Sequence, residues 1–228
     1  MLAMSAPTTA SFRDRPIPSW YDDAKLGIFV HWGLYSVPAW ASKPREGEAP
    51  GFEVNPYAEW YQNTLGIEGS PTQRHHAETY GADFPYRRFA EEFNREIAAW
   101  QPAEWADLFA SAGARYVVLT TKHHEGFLLW PSEHRNPKAP DFIASRDLVG
   151  ELTDAVRGRG LRMGFYYSGG IDWLTHDQVI AVRKDFVRAV PPGEAYREYA
   201  TRHWKELIDR HAPCSMWNDI AFPGPVEK

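Results

Sequence analysis

Short apolar runs alternate with longer amphipathic ones along this chain, and the alternation predicts its elements. Leu26-Gly-Ile-Phe-Val-His31 is an apolar run that ends at His31-Trp32-Gly33, and it reads as a buried strand followed by a turn. Tyr116-Val-Val-Leu-Thr120 is a second strand, leading into Lys122-His123-His124-Glu125-Gly126. Leu161-Arg-Met-Gly-Phe-Tyr-Tyr167 is a third, ending at Ser168-Gly169-Gly170, and Cys214-Ser-Met-Trp217 is a fourth, ending at Asn218-Asp219. Helices separate them. Pro102 opens one in which Trp105, Leu108, Phe109 and Ala112 recur at helical spacing before Gly113 stops it. Asp147 is placed to N-cap another that carries Leu148, Leu152, Ala155 and Val156 and closes near Gly158 or Gly160. Pro191-Pro192-Gly193 breaks the chain before a third helix from Glu194 to about His211.

Residues 34–85 are rich in Gly, Pro and aromatic side chains, with only brief helical patches such as 57–63 expected. A stretch that long without regular structure is usually functional. Elsewhere the repeat of strand, polar loop, helix and short turn is the rhythm of a parallel sheet with helices outside. Ligands of such sheets lie at the carboxyl ends of the strands. Here those ends hold His31-Trp32, His123-His124-Glu125, Tyr167-Ser168 and Trp217-Asn218-Asp219. A closed barrel needs about eight strand–helix units and typically ~250 residues, and half that number leaves two open edges. The fold expected is therefore α/β, the N-terminal portion of a (β/α)8-like TIM barrel, with a small open sheet as the alternative. Residues 1–18 read as a flexible lead-in and 19–228 as the incomplete barrel.

Composition narrows the chemistry. The 228 residues carry Lys+Arg 25 against Asp+Glu 30, a net charge of −5, which argues against a dedicated phosphate-backbone binder. With 43% hydrophobic and 14% aromatic residues, disorder is ruled out. No apolar run approaches the ~20 residues of a membrane span. Cys214 is the only cysteine, which excludes an intrachain disulfide framework and a Cys-rich zinc site. Residues 1–18 lack the apolar core of a secretory signal, so a cytoplasmic location is the default expectation.

Asp219 is the most informative carboxylate, because a strand end can fix it rigidly toward a cleft, as sugar chemistry requires. Asn-Asp after a strand is equally turn and cap chemistry, and the local sequence leaves both readings open. His123-His124 hints at a metal, but adjacent strand residues face opposite sides and reach one ligand only if the strand has ended. No His-Glu-x-x-His pair occurs, and neutral imidazoles can instead bond hydroxyls. Trp40, Tyr57, Trp60 and Tyr61 suit the C–H face of a sugar or simple core filling. Trp105, Trp173 and Trp204 read as core. No Gly-rich phosphate loop and no Gly-x-Ser-x-Gly elbow is present.

Six blocks carry a resemblance, in order. Gly27-Ile-Phe-Val-His-Trp-Gly-Leu-Tyr-Ser-Val-Pro-Ala-Trp40, Asn55-Pro-Tyr-Ala-Glu-Trp-Tyr61 and Thr120-Thr-Lys-His-His-Glu-Gly-Phe127 resemble the α-L-fucosidases of glycoside hydrolase family twenty-nine. So do Arg146-Asp-Leu-Val-Gly150, Gly164-Phe-Tyr-Tyr-Ser-Gly-Gly-Ile-Asp-Trp173 and Trp217-Asn-Asp219. The resemblance implies a retaining hydrolase of terminal α-L-fucosyl linkages on a (β/α)8-like barrel, needing no metal or organic cofactor. It implies that Asp219 is the nucleophile and that His31, Glu59, Trp60, His123, His124, Tyr167 and Trp217 line the fucose pocket. The partner implied is a fucosylated oligosaccharide or glycoconjugate, with no nucleic acid or membrane.

Some positions depart from the pattern. Ala221 stands where the family commonly has Gly, and Phe222 where Trp or Tyr is usual; a positive φ at 221 would strain Ala. The family's general acid/base comes from later in the barrel, beyond Lys228, and the pattern gives that role to neither Glu125 nor Asp172. The expectation is thus a fucosidase half-domain, nucleophile included, inactive alone. The alternatives are a non-catalytic fucose-binding short form and a metal-dependent hydrolase using His31, His123 and His124.

Overall fold

Four parallel strands lie in sequence order: β1 (Gly27–Val30), β2 (Tyr116–Lys122), β3 (Arg162–Tyr167) and β4 (Met216–Asn218). The computed structural model describes residues 15–44, 47 and 51–220. Of the lead-in expected over 1–18, positions 1–14 lie outside the described residues, as do Ala221 and Phe222, while 15–18 are exposed and irregular. Each crossover between strands contains helix. Helix α1 (Ser19–Ala24) precedes β1, and α2 (Tyr61–Leu65), α3 (Pro71–Tyr80), α4 (Phe89–Glu96) and α5 (Pro102–Ser111) lie between β1 and β2. Helix α6 (Leu148–Gly158) precedes β3, and α7 (Phe186–Ala189) and α8 (Glu194–His211) precede β4. Parallel strands require such crossovers, because a tight hairpin cannot return the chain in the same direction.

The register sorts the side chains into two faces. Phe29 pairs with Val118, Val118 with Gly164, Thr120 with Tyr166 and Tyr166 with Trp217, so these residues share the inner face. Val117, Leu119, Met163 and Phe165 take the outer face, where they join Ala106 and Phe109 of α5 and Leu148, Leu152 and Val156 of α6 in one buried core. Burying each such side chain contributes about 1.5–3 kcal/mol. At the start of β2 and β3, Trp20 of α1 packs edge-on against Tyr116 at 5.8 Å, and the Arg162 guanidinium lies 4.9 Å over the same Trp20.

The helix signals act where expected. Pro102 occupies the first turn of α5, and the Asp147 carboxylate accepts from the Gly150 N–H at 2.9 Å to cap α6. Leu108, expected on the inward stripe of α5, is instead 63% exposed, and Ala106 takes the buried position. The region 34–85 is also more regular than expected. Helix α3 runs through it for ten residues, N-capped by Ser70, whose Oγ accepts from Gln73 N at 3.0 Å. Its sequence, PTQRHHAETY, is too polar to show a helical stripe; the readable signal is Ser70-Pro71, a cap followed by a first-turn proline.

Candidate active site

An irregularity in β2 builds the site. The register shifts between Thr120 and Lys122, so Lys122 turns to the outer face and the strand ends before His123. Such bulges re-aim side chains. On the outer face Lys122 forms a fully buried ion pair with Asp172 at 2.8 Å, under the rings of Tyr167 (4.8 Å) and Tyr196 (5.9 Å). Gly126 then takes φ 81, a left-handed conformation that favours glycine, and a Cβ there would meet Leu174 Cβ at 2.7 Å. The Trp173 N–H donates to His124 O at 2.7 Å and the Ser168 N–H to Lys122 O at 2.9 Å, tying the loop after β3 to the end of β2.

Beyond the strand, His123 and His124 reach the same side. The His123 ring stacks on Tyr166, with centroids 5.6 Å apart and planes at 15°, and lies 5.8 Å from His31. Its Nδ1 is 3.4 Å from Glu125 Oε2, a carboxylate 2% exposed that fits beside Gly33, where a Cβ would approach Oε1 to 2.8 Å. His124 Nδ1 is 2.6 Å from Ser168 Oγ, and its Nε2 is 3.9 Å from Asp219 Oδ2. Burial, reinforced by the charges of His123, Lys122 and His31, drives the His124 pKa well below that of a free imidazole. Burial and His123 also lower His31, against the opposing charges of Glu59, Asp219 and Glu125. Hence both rings are neutral at pH 7.

Asp219 follows β4 and is held by its surroundings. Its N–H donates to Tyr167 O at 3.3 Å, and the Tyr166 hydroxyl donates to Oδ2 at 2.7 Å. Burial first, then the charge of Asp219, pushes the Tyr166 pKa far upward, which keeps this phenol a proton donor. The carboxylate is still 36% exposed on the open inner face. Next to it Ile220 has φ 67, an unusual conformation for a β-branched residue that costs about 1–2 kcal/mol. Positive φ thus occurs at 220; residue 221 lies outside the described residues.

Buried Tyr35 stands edge-on 5.2 Å from His123, and of Trp40, Tyr57, Trp60 and Tyr61 only Trp60 meets this cluster among the described contacts. It stands edge-on 5.3 Å from His124 and 5.8 Å from Trp173. Trp40 stacks flat on His75 at 4.2 Å, Tyr57 is exposed, and Tyr61 is buried with its hydroxyl 2.9 Å from His76 Nδ1. Trp217 is 57% exposed and edge-on to Phe29 at 6.0 Å. His31 stacks on the same Phe29 at 4.9 Å, and half-buried Glu59 is near enough for its charge to act on His31.

One expected residue is elsewhere. Tyr167 points to the outer face, fully buried, with its hydroxyl 2.8 Å from His203 Nδ1 on α8. Side chains alternate along a strand, so Tyr166 faces Asp219 and its neighbour cannot. Tyr166 is the residue that sequence reasoning missed, and Ser168, named at the strand end, had no role assigned to it. Tyr166 was readable only from the phase of β3, which Met163, Phe165 and Tyr167 on one face and Tyr166 on the other leave ambiguous, since both faces are apolar. Among the described residues, no group of three or more His, Cys, Asp or Glu side chains is placed to hold a metal ion. The cluster offers a hydrogen-bonded carboxylate, neutral imidazoles and ring faces, which together can bind hydroxyls and C–H surface and attack an electrophilic carbon.

Comparison with known proteins agrees with this chemistry. The family profile described as alpha-L-fucosidase matches residues 3–227. The chain belongs to the α-L-fucosidase family. It is 39% identical to mouse tissue α-L-fucosidase over 96% of this chain and 44% of that protein. It is 43% identical to the α-L-fucosidase of Dictyostelium discoideum over 93% of this chain and 43% of that one. The chain therefore spans less than half the length of these relatives. The crystal structure of Thermotoga maritima α-fucosidase in complex with fucose superposes with a TM-score of 0.86 at 45% identity, covering 96% of this chain and 50% of that one. As a member of the α-L-fucosidase family, the chain has the α/β architecture of the N-terminal part of a TIM-barrel catalytic domain.

Proposed function

We propose that this chain carries the nucleophile and much of the fucose subsite of a retaining α-L-fucosidase. The observation that carries the reading is Asp219, bonded by Tyr166 Oη at 2.7 Å and faced by His124 Nε2 at 3.9 Å, at the carboxyl end of β4. In this reading Asp219 attacks the anomeric carbon and forms a glycosyl-aspartate, which water then hydrolyses with retention. The Tyr166 hydroxyl orients the carboxylate. His31, Glu59, His123 and His124 bond sugar hydroxyls, and Trp60 and Trp217 offer ring surface to the C–H face. The substrate class is a terminal α-L-fucosyl group on an oligosaccharide or glycoconjugate.

Retaining hydrolysis also needs a carboxyl group about 5–5.5 Å from the nucleophile to protonate the leaving oxygen. Two strand-end carboxylates are committed elsewhere: Asp172 to Lys122, and Glu125 against His123. The reading therefore includes fucose binding by this chain without sustained turnover of its own. Titration calorimetry of the 228-residue chain is expected to show saturable L-fucose binding that is weakened by His124→Phe, together with no steady hydrolysis of an aryl α-L-fucoside. A folded chain that ignores L-fucose would refute the binding claim. Steady hydrolysis abolished by Asp219→Asn would refute the inactivity claim, because a local acid must then exist.

A further inference from the structure

Behind His124 lies a short hydrogen-bond relay that leads away from the site. His124 Nδ1 is 2.6 Å from Ser168 Oγ, and Ser168 Oγ is 2.6 Å from the carbonyl oxygen of Ile171. All three residues are completely buried. A serine hydroxyl has one proton. The Ile171 carbonyl can only accept, so that proton goes to Ile171 O; otherwise two oxygen lone pairs would face each other at 2.6 Å. The hydroxyl must then accept from His124, which places a proton on Nδ1.

We propose that Ser168 is a positioning residue that fixes His124 as its Nδ1–H tautomer and so dedicates Nε2 to accepting a proton from a ligand hydroxyl. The far side of the ring is consistent with that assignment. Nε2 is buried, has no hydrogen-bond partner among the described residues, and faces Asp219 Oδ2 at 3.9 Å. Two acceptors at that separation leave a place for a donor between or beside them, and leaving Nε2 unpaired costs free energy that a ligand proton recovers. The ring is neutral because burial and its cationic or potentially cationic neighbours Lys122, His123 and His31 all oppose a second proton. The other groups against it are the Trp60 and Trp173 rings, at 5.3 and 5.2 Å, and Asp219.

The consequence is a rule of recognition. A hydroxyl that meets His124 must donate, so an ether or fluorine at the same place, which can only accept, is rejected. This deepens the fucose reading and rests on it for the identity of the ligand, whereas the tautomer itself does not.

The test is imidazole NMR on the 228-residue chain, with the His124 signals assigned by their loss in His124→Gln. Expected between pH 6 and 8 are a protonated Nδ1 and a bare Nε2 in the wild type and in Ser168→Thr, which keeps the hydroxyl. Ser168→Ala is expected to give a mixed or Nε2–H population and L-fucose affinity about tenfold weaker, the value of one lost hydrogen bond. A bare Nδ1 or an imidazolium in the wild type overturns the proposal without recourse to any variant. A wild-type pattern that persists in Ser168→Ala also overturns it. Should the tautomer behave as expected while L-fucose fails to bind, Ser168 keeps its role and the fucose reading is lost.

Discussion

At the level of single residues, the adjacent tyrosines of β3 have divided labour. Tyr166 donates to Asp219 on the inner face, and Tyr167 bonds His203 on the outer face. Removing the Tyr166 hydroxyl deprives the carboxylate of a side-chain donor while leaving the outer core intact. Tyr166→Phe is therefore expected to lower the rate of attack by Asp219 by about 10- to 100-fold, the worth of one charge-assisted hydrogen bond. Tyr167→Phe is expected to leave that rate within about twofold and to cost about 1–3 kcal/mol of stability, because buried His203 Nδ1 loses its partner. Urea unfolding and single-turnover kinetics on both variants check the division, and the reverse pattern would show that the strand phase is misassigned.

The elements place these residues through a few buried polar ties. Lys122–Asp172 pins the end of β2 to the loop that carries Trp173, and desolvated pairs of this kind fix geometry more than they add stability. Tyr167–His203 joins β3 to α8. His203 Nε2 lies 2.6 Å from the His134 carbonyl oxygen, which only accepts, so Nε2 donates and Nδ1 receives the Tyr167 proton. Burial holds the His203 pKa down at about 4, from 6.5 in the unfolded chain. Below pH 6.5 the unfolded state therefore binds a proton that the folded state refuses, and stability falls with falling pH until about pH 4. The shift bounds this contribution at about 3 kcal/mol, fully present above pH 6.5. His203→Gln, which can keep a donor and an acceptor, is expected to flatten the rise in unfolding free energy between pH 4.5 and 6.5 relative to the wild type. An unchanged slope would mean that His203 is already protonated in the folded protein.

Across the whole molecule, what could be read in the sequence was whatever leaves a local trace. Apolar runs marked the four strands, Pro102 and Asp147 marked helix starts, and the polar clusters fell at strand ends because a parallel sheet gathers them there. Long-range effects left no such trace. Helix α3 is polar and held by its cap and by packing around Tyr61 and His76, so no hydrophobic stripe announced it. The turn of Lys122 away from the site depends on a register shift against β3, and the choice of Tyr166 over Tyr167 depends on the pairing with Thr120 and Trp217. Ser168 stood at a strand end with no role assigned, because its partner His124 comes from a different strand end 44 residues away.

All of this converges on Asp219 Oδ as the atom aimed at a sugar's reacting carbon. An activated donor tests that alone, because fluoride leaves without being protonated and a second fluorine on ring carbon C5 slows release of the adduct while every hydroxyl stays in place. The 228-residue chain should be incubated with 5-fluoro-fucosyl fluoride and its peptides mapped by mass spectrometry. A single fluorofucosyl adduct on Asp219, absent in Asp219→Asn and suppressed by free L-fucose, is the predicted result. An adduct on any other side chain, or none on a folded chain that binds L-fucose, would contradict it.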